Sequence, residues 1–158
     1  MLDVLPAYSR TEPLPFSRGQ ACTAEFGLPS DTVLRVLCVD DNRDAADTLS
    51  ALLTIAGFTV HTCYNGAAAL AALDEFCPEV CVLDLMMPGI DGLELAKRIR
   101  TWADGRHVPL VAVTALGDET SRRTTRQHGF DLHLTKPFDP DQLAALVVDI
   151  VILRSCSE

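Results

Sequence analysis

Apolar residues recur along most of this chain in two rhythms, short continuous runs and stretches with a three-to-four-residue period. Val33 to Val39 is a short β-rich run that ends in Asp40-Asp41. Asn42 is placed to cap a helix through about Ala56, with Ala45, Leu49, Leu52 and Ala56 on one face and Gly57 to end it. Phe58 to Cys63 reads as a strand, and Asn65 caps a helix over Ala67 to Phe76 with Leu70 and Leu73 inward. Val80 to Asp84 is a third strand, followed by a Met-Met-Pro-Gly turn. Asp91 then opens a third helix to about Ala103, carrying Leu93, Leu95, Ala96 and Ile99. Leu110 to Val113 is a fourth strand ending in Thr114. Asp118 to His128 is a polar helix closed by Gly129, and Phe130 to Leu134 is a fifth strand. Asp139 caps a last helix through about Leu153.

Five strand–helix repeats with short connections predict an α/β fold, a five-stranded doubly wound parallel sheet covered by helices on both faces. Right-handed crossovers place the loops after all five strands on one rim. Asp40, Asp41, Asp84, Thr114 and Lys136, far apart in sequence, should therefore meet at one end of the sheet. Residues 1–32 follow neither rhythm. Pro6, Pro13, Pro15 and Pro29 interrupt them, which predicts an extension or linker outside a domain spanning 33–158.

With 158 residues the chain is long enough for one domain with a sizeable core. A net charge of −9 argues against a nucleic-acid or anionic-membrane surface. No basic start leads into an apolar stretch, and the greasiest segment, Leu143 to Leu153, is short and broken by Asp149. The expectation is a soluble, cytoplasmic protein. Among the six cysteines there is no Cys-x-x-Cys pair, and Cys38, Cys63 and Cys81 lie in apolar runs, so reduced thiols are expected rather than zinc ligands. No Gly-x-Gly-x-x-Gly or Walker-type loop follows the first strand, which weakens nucleotide readings.

Two like charges about 4 Å apart repel by roughly 4 kcal/mol at an effective dielectric near 20. Three converging carboxylates therefore need protons or a cation, and all-oxygen ligands in a shallow site suit Mg²⁺. The cation and Lys136 would neutralise an incoming phosphoryl group, and the Thr114 hydroxyl can hydrogen-bond to it. One carboxylate in that field can attack phosphorus and become an acyl phosphate. Pro137 rigidifies the turn that aims Lys136 and is a candidate cis residue.

Four pieces, Val39-Asp40-Asp41-Asn42, Leu83 to Gly92, Val113-Thr114-Ala115 and Leu134-Thr135-Lys136-Pro137-Phe138, carry a resemblance in their order and spacing. Over residues 33 to about 154 the chain resembles the receiver domain of two-component response regulators. The resemblance implies a flavodoxin-like sheet of strand order 2-1-3-4-5, an order that the general description of such folds already attaches to a receiver protein. It implies that Asp84 takes a phosphoryl group from a histidine kinase or histidine phosphotransfer protein. Asp41, Asp84 and the Met86 main-chain carbonyl would hold Mg²⁺, with Asp40 acting mostly through water, and Thr114 and Lys136 would bind phosphoryl oxygens. Such a protein catalyses only its own phosphorylation and dephosphorylation and passes the signal to a downstream protein. The fourth helix, fifth strand and fifth helix would form the partner face, with a homodimer as one use of it. Phosphorylation would draw in Thr114 and let His133 move inward.

Two departures stand out. His133 occupies a position where many relatives carry Tyr or Phe, so an ionisable ring stands at the switch. The fourth helix offers almost nothing to bury. On the last helix Leu143, Leu146, Val147 and Ile150 are assigned to the sheet, while Val148 and Ile152 make a second apolar stripe beside Ala145. Two other functions fit less well. A degenerate receiver acting only as an interaction module would not need the intact acceptor set. A Mg²⁺-dependent phosphatase of the haloacid-dehalogenase type needs a second Asp two residues after the nucleophile, where this chain has Met86.

Overall fold

A computed structural model describes the backbone of residues 3–4 and 33–155. Its elements are β1 (Asp3–Val4), β2 (Arg35–Val39), α1 (Arg43–Ile55), β3 (Thr59–Cys63), α2 (Gly66–Phe76), β4 (Val80–Asp84), α3 (Gly92–Ala103), β5 (Leu110–Thr114), α4 (Glu119–Gln127), β6 (Leu132–Thr135) and α5 (Pro140–Ser155). The strands lie in the order β1-β6-β5-β4-β2-β3. Counted without β1, the five parallel strands run 2-1-3-4-5, as expected. The sixth strand is a correction. β1 pairs antiparallel with β6, in a segment whose prolines argued against structure, and two residues are too few to show a period. Apart from β1, the extension foreseen over residues 1–32 lies outside the described residues.

Central strands β4 and β5 are buried along their whole length, which is why they read as continuous apolar runs rather than alternating ones. One face of the sheet packs on α2 and α3 through Leu73, Leu95, Ile99 and Phe130. The other packs on α1 and α5 through Leu53, Leu143, Val147 and Ile150. Asn42, Asn65 and Asp91 cap their helices by accepting from the backbone N–H three residues on. Each cap fixes where the loop from a strand end turns into helix. Among the described residues, no helix is long and apolar enough to cross a membrane.

Several details depart from the expectations. The inward face of α1 is Ala46, Ser50 and Leu53, one residue along from the stripe of Ala45, Leu49 and Leu52; Leu52 is exposed. Counting apolar residues passed over Ser50, which turns inward because the Thr62 hydroxyl of β3 donates to its oxygen at 2.7 Å. β6 starts two residues later than expected, because the Asp131 side chain is taken up by groups of α3 and β5. Val151 joins the buried face of α5, and Val148 packs partly against the core, so the second stripe reduces to Ile152 beside exposed Ala145. Cys38, Cys63 and Cys81 are free thiols, whereas Cys77 is disulfide-bonded. Cys77 is the C-cap of α2, outside the strand context on which the expectation of reduced cysteines rested.

Candidate functional site

The parallel register brings the ends of β2, β4, β5 and β6 to one rim. Asp84 is the last residue of β4 and is buried, as is Asp40 just past β2, while Asp41 is exposed beside them. One carboxylate oxygen from each lies within 4.8 Å of the others. The Lys136 ammonium sits 2.9 Å from Asp40 Oδ2 and 4.0 Å from Asp84 Oδ2. Three carboxylates face one ammonium, so the site carries excess negative charge.

Backbone donors hold the acids in place. Asn42 N–H donates to Asp40 Oδ1 at 2.9 Å, and Met86 N–H donates to Asp84 Oδ1 at 3.2 Å. Burial pushes the Asp84 carboxyl up to about 6; Asp40 adds to the rise, and the Met86 N–H and Lys136 oppose it. Asp84 Oδ2 lies 4.0 Å from the Lys136 ammonium, beyond hydrogen-bond reach. It is the oxygen best placed to act as a nucleophile or a ligand. The three carboxylates fit a hard divalent cation: all donors are oxygens, they converge, and their charge is under-compensated. Exposed Asp41 and Met86 mark the open side, where a cation would keep water ligands.

Gly92 sets how near α3 comes to this strand end. A Cβ there would lie 2.3 Å from the Asp84 carbonyl oxygen and 2.7 Å from Leu85 Cα. With Gly92 N–H donating to the Leu85 carbonyl at 3.2 Å, the helix start clamps the backbone that carries Asp84. Sequence reasoning noticed Asp91 as a cap and missed this glycine; the Asp-Gly pair after the turn was the available signal. Lys136 is joined to Pro137 by a cis peptide bond, as anticipated. Its N–H donates to the Thr114 carbonyl at 2.8 Å, which ties the lysine loop to β5.

Thr114 is fully buried, and its Oγ1 accepts from Leu116 N–H at 3.2 Å. His133 is buried at 2 % exposure, so the inward position expected after phosphorylation is the one it holds here. Its Nδ1 lies 3.0 Å from Thr125 Oγ1, and its Nε2 lies 2.9 Å from the Leu116 carbonyl. Through these contacts one ring joins β6 to α4 and to the loop that follows Thr114. Thr125, the only buried residue of α4, gave no sign in the sequence because it sits within a polar run. A cavity of about 260 Å³ opens beside Asp84 and Lys136, running past Ala45, Leu49 and Phe138.

Each site residue foreseen from the sequence thus stands at this rim or directly behind it. The family model "Response regulator receiver domain" matches residues 36–148. The chain is 39 % identical over 117 residues to the sensor histidine kinase GacS of Pseudomonas protegens, covering 72 % of this chain and 13 % of the kinase. It is 34 % identical over 113 residues to the regulatory protein VanRc of Enterococcus gallinarum, covering 72 % of this chain and 48 % of that protein. The chain therefore spans half or less of the length of these two relatives. Among solved structures, a putative response regulator from Chloroflexus aurantiacus superposes with a TM-score of 0.71 at 31 % identity, over 77 % of this chain and 99 % of that one. By its motifs, its strand order and the matched span, this chain belongs to the response regulator receiver domain family.

Proposed function

We propose that this receiver is a phosphoacceptor in which Asp84 takes a phosphoryl group from a phosphohistidine on a kinase or phosphotransfer protein in the cytoplasm. The observation that carries this reading is the position of Asp84 Oδ2, which is buried at a strand end, beside an unbalanced acidic pair and 4.0 Å from an ammonium. In the transfer, that oxygen forms a bond to phosphorus as the phosphorus–nitrogen bond of the donor breaks. The electron pair returns to the imidazole nitrogen, which takes up a proton. Lys136 is placed to neutralise the charge on the transferring oxygens, and Thr114 to bind one of them if its side chain turns toward Asp84.

Asp40, Asp41, Asp84 and the Met86 carbonyl would hold Mg²⁺, which when bound supplies positive charge opposite Lys136. Asp84 must be ionised to act, and the neighbouring positive charges favour that form. The chain promotes only its own phosphorylation and dephosphorylation and has no separate substrate. The consequence of phosphorylation is carried by Thr114 and His133 to the face made by α4, β6 and α5, where a downstream protein or a second copy docks. Exposed Ile152 supports that assignment.

Incubation with acetyl phosphate and Mg²⁺ should yield one acid-stable, base-labile phosphoryl group per chain. Asp84→Asn should yield none, and chelator should stop the reaction. Incorporation that survives the substitution would overturn the assignment. A chain that binds partners yet never incorporates phosphate would be a degenerate receiver.

A further inference from the structure

The outer edge of the sheet carries a strand that the acceptor chemistry does not need. β1 pairs with β6 in the register Asp3↔His133 and Val4↔Leu132. Asp131 N–H donates inward, to the Leu110 carbonyl of β5, at 2.8 Å. Backbone N–H groups alternate in direction along a strand, so the Leu132 N–H points outward. In an antiparallel register Leu132 and Val4 then form a hydrogen-bonded pair, each N–H meeting the other's carbonyl. Without β1, the Leu132 N–H and carbonyl would lie open on this edge; with it in place, the side chains from Leu132 to Leu134 are buried. Such an edge is a template for an incoming strand.

The flank of this edge is basic. α4 is tied to β6 by the Thr125–His133 contact, and it presents Arg122, Arg123 and Arg126 within one nine-residue helix. Arg126 Nε is buried with no hydrogen-bond partner among the described residues. In a chain of net charge −9 this is a local reversal of sign. Leu116, on the loop ahead of α4, adds an exposed apolar side chain. Backbone pairing, arginines and an apolar contact together suit an extended segment that mixes a carboxylate with aliphatic residues. The first residues, Met1-Leu2-Asp3-Val4-Leu5, have that composition.

We propose that the β6 edge beside the α4 arginines is a strand-accepting site, and that the chain's own segment around Asp3–Val4 is its resident occupant. The segment must leave before the same segment of a second copy can use the edge. Strand capture does not depend on phosphorylation. Its link to Asp84, through His133 and through the pairing of Thr114 with Thr135, does rest on the proposed acceptor role.

The test compares amide hydrogen exchange in the full chain and in Val4→Pro, with no phosphodonor. Proline removes the N–H that faces the Leu132 carbonyl. The Leu132 amide should exchange about tenfold faster or more in the variant, with His133, whose N–H turns toward β5, unchanged. Equal exchange at Leu132 in both chains overturns the capture of the edge. A labelled peptide with the sequence of residues 1–8 should bind Val4→Pro and not the unmodified chain, and Arg126→Glu should weaken it about tenfold. Binding to both chains alike, or to neither, overturns the resident-occupant assignment, and indifference to Arg126→Glu removes the arginines from the site. Acetyl phosphate with Mg²⁺ should then speed Leu132 exchange in the unmodified chain but not in Asp84→Asn. A chain that is phosphorylated without that change lacks the coupling. A chain that takes up no phosphate refutes the acceptor role while leaving the first two results intact.

Discussion

Two clusters of acid and base lie at opposite ends of the same sheet, and they are built to opposite rules. At one rim Asp40, Asp41 and Asp84 converge, and Lys136 reaches Asp40 and Asp84. At the other, Asp131 alone meets two bases and a backbone donor. Its Oδ1 lies 2.9 Å from His107 Nε2, and its Oδ2 accepts from Arg100 Nη2 at 3.2 Å and Leu110 N–H at 2.8 Å. Arg100 also donates to the carbonyls of Val108 and Gly129. Both Asp131 carboxylate oxygens are engaged, so the cluster joins α3, β5 and the start of β6. At the first rim, negative charge is in excess and the Lys136 ammonium stays 4.0 Å from Asp84 Oδ2. Stability comes from satisfying charge, and reactivity from leaving some of it unsatisfied.

The sharpest break between the two clusters comes from removing one acid from each. Asp84→Asn should abolish phosphoryl incorporation, measured by mass spectrometry of the intact chain, and leave the fold in place. Asp131→Ala should do the reverse. It strands the Arg100 charge and should cost about 3 kcal/mol in urea unfolding. Once folded, that variant should accept phosphate at an unchanged rate; a large loss of rate would mean that the two rims are not separate.

Lys136→Ala sharpens the contrast from the cation side. Transfer from acetyl phosphate should slow by about a hundredfold, near 2.7 kcal/mol of lost transition-state stabilisation. The smallest effect concerns pH. In metal-free protein Asp84 holds its proton up to about 6, against an ordinary 3.8. Between those values the folded state binds a proton that the unfolded state releases, so stability falls as pH rises through the window. Asp84→Asn has no such proton. In chelator it should be more stable than the unmodified chain at pH 7, by about 1 kcal/mol after allowing for solvent at the rim. The two should converge below pH 4. A gap that widens on acidification would contradict the raised carboxyl.

Much of the candidate site was legible because its residues end or follow apolar runs, and a parallel topology sends all such ends to one rim. Asp84 and Thr114 needed only the rhythm of the chain; Lys136 needed its Pro137 neighbour as well. The opposite cluster was not legible. Arg100 reads as an exposed helix residue and Asp131 as part of a strand, and nothing local shows that they meet. The α1 face was displaced by one residue because a hydroxyl pair, Ser50 with Thr62, took a core position that an apolar count assigns elsewhere. The partners of His133 stayed hidden for the same reason, since Thr125 and the Leu116 carbonyl are polar groups whose burial depends on distant packing.

The glycines of the turn between β4 and α3 face different kinds of intolerance to change. Gly89 has φ +76°, and a Cβ placed on it would meet nothing within 4 Å, so its constraint is conformational. Asparagine, which tolerates left-handed backbone, should be the replacement most often recovered there in a saturation library scored for phosphoryl acceptance. Gly92 fails for want of room, since even alanine would press on the Asp84 carbonyl. No side chain escapes that by adopting another backbone angle. Position 92 should therefore tolerate no substitution, and variation along this loop should thin out as it nears the helix that holds the Asp84 strand in place.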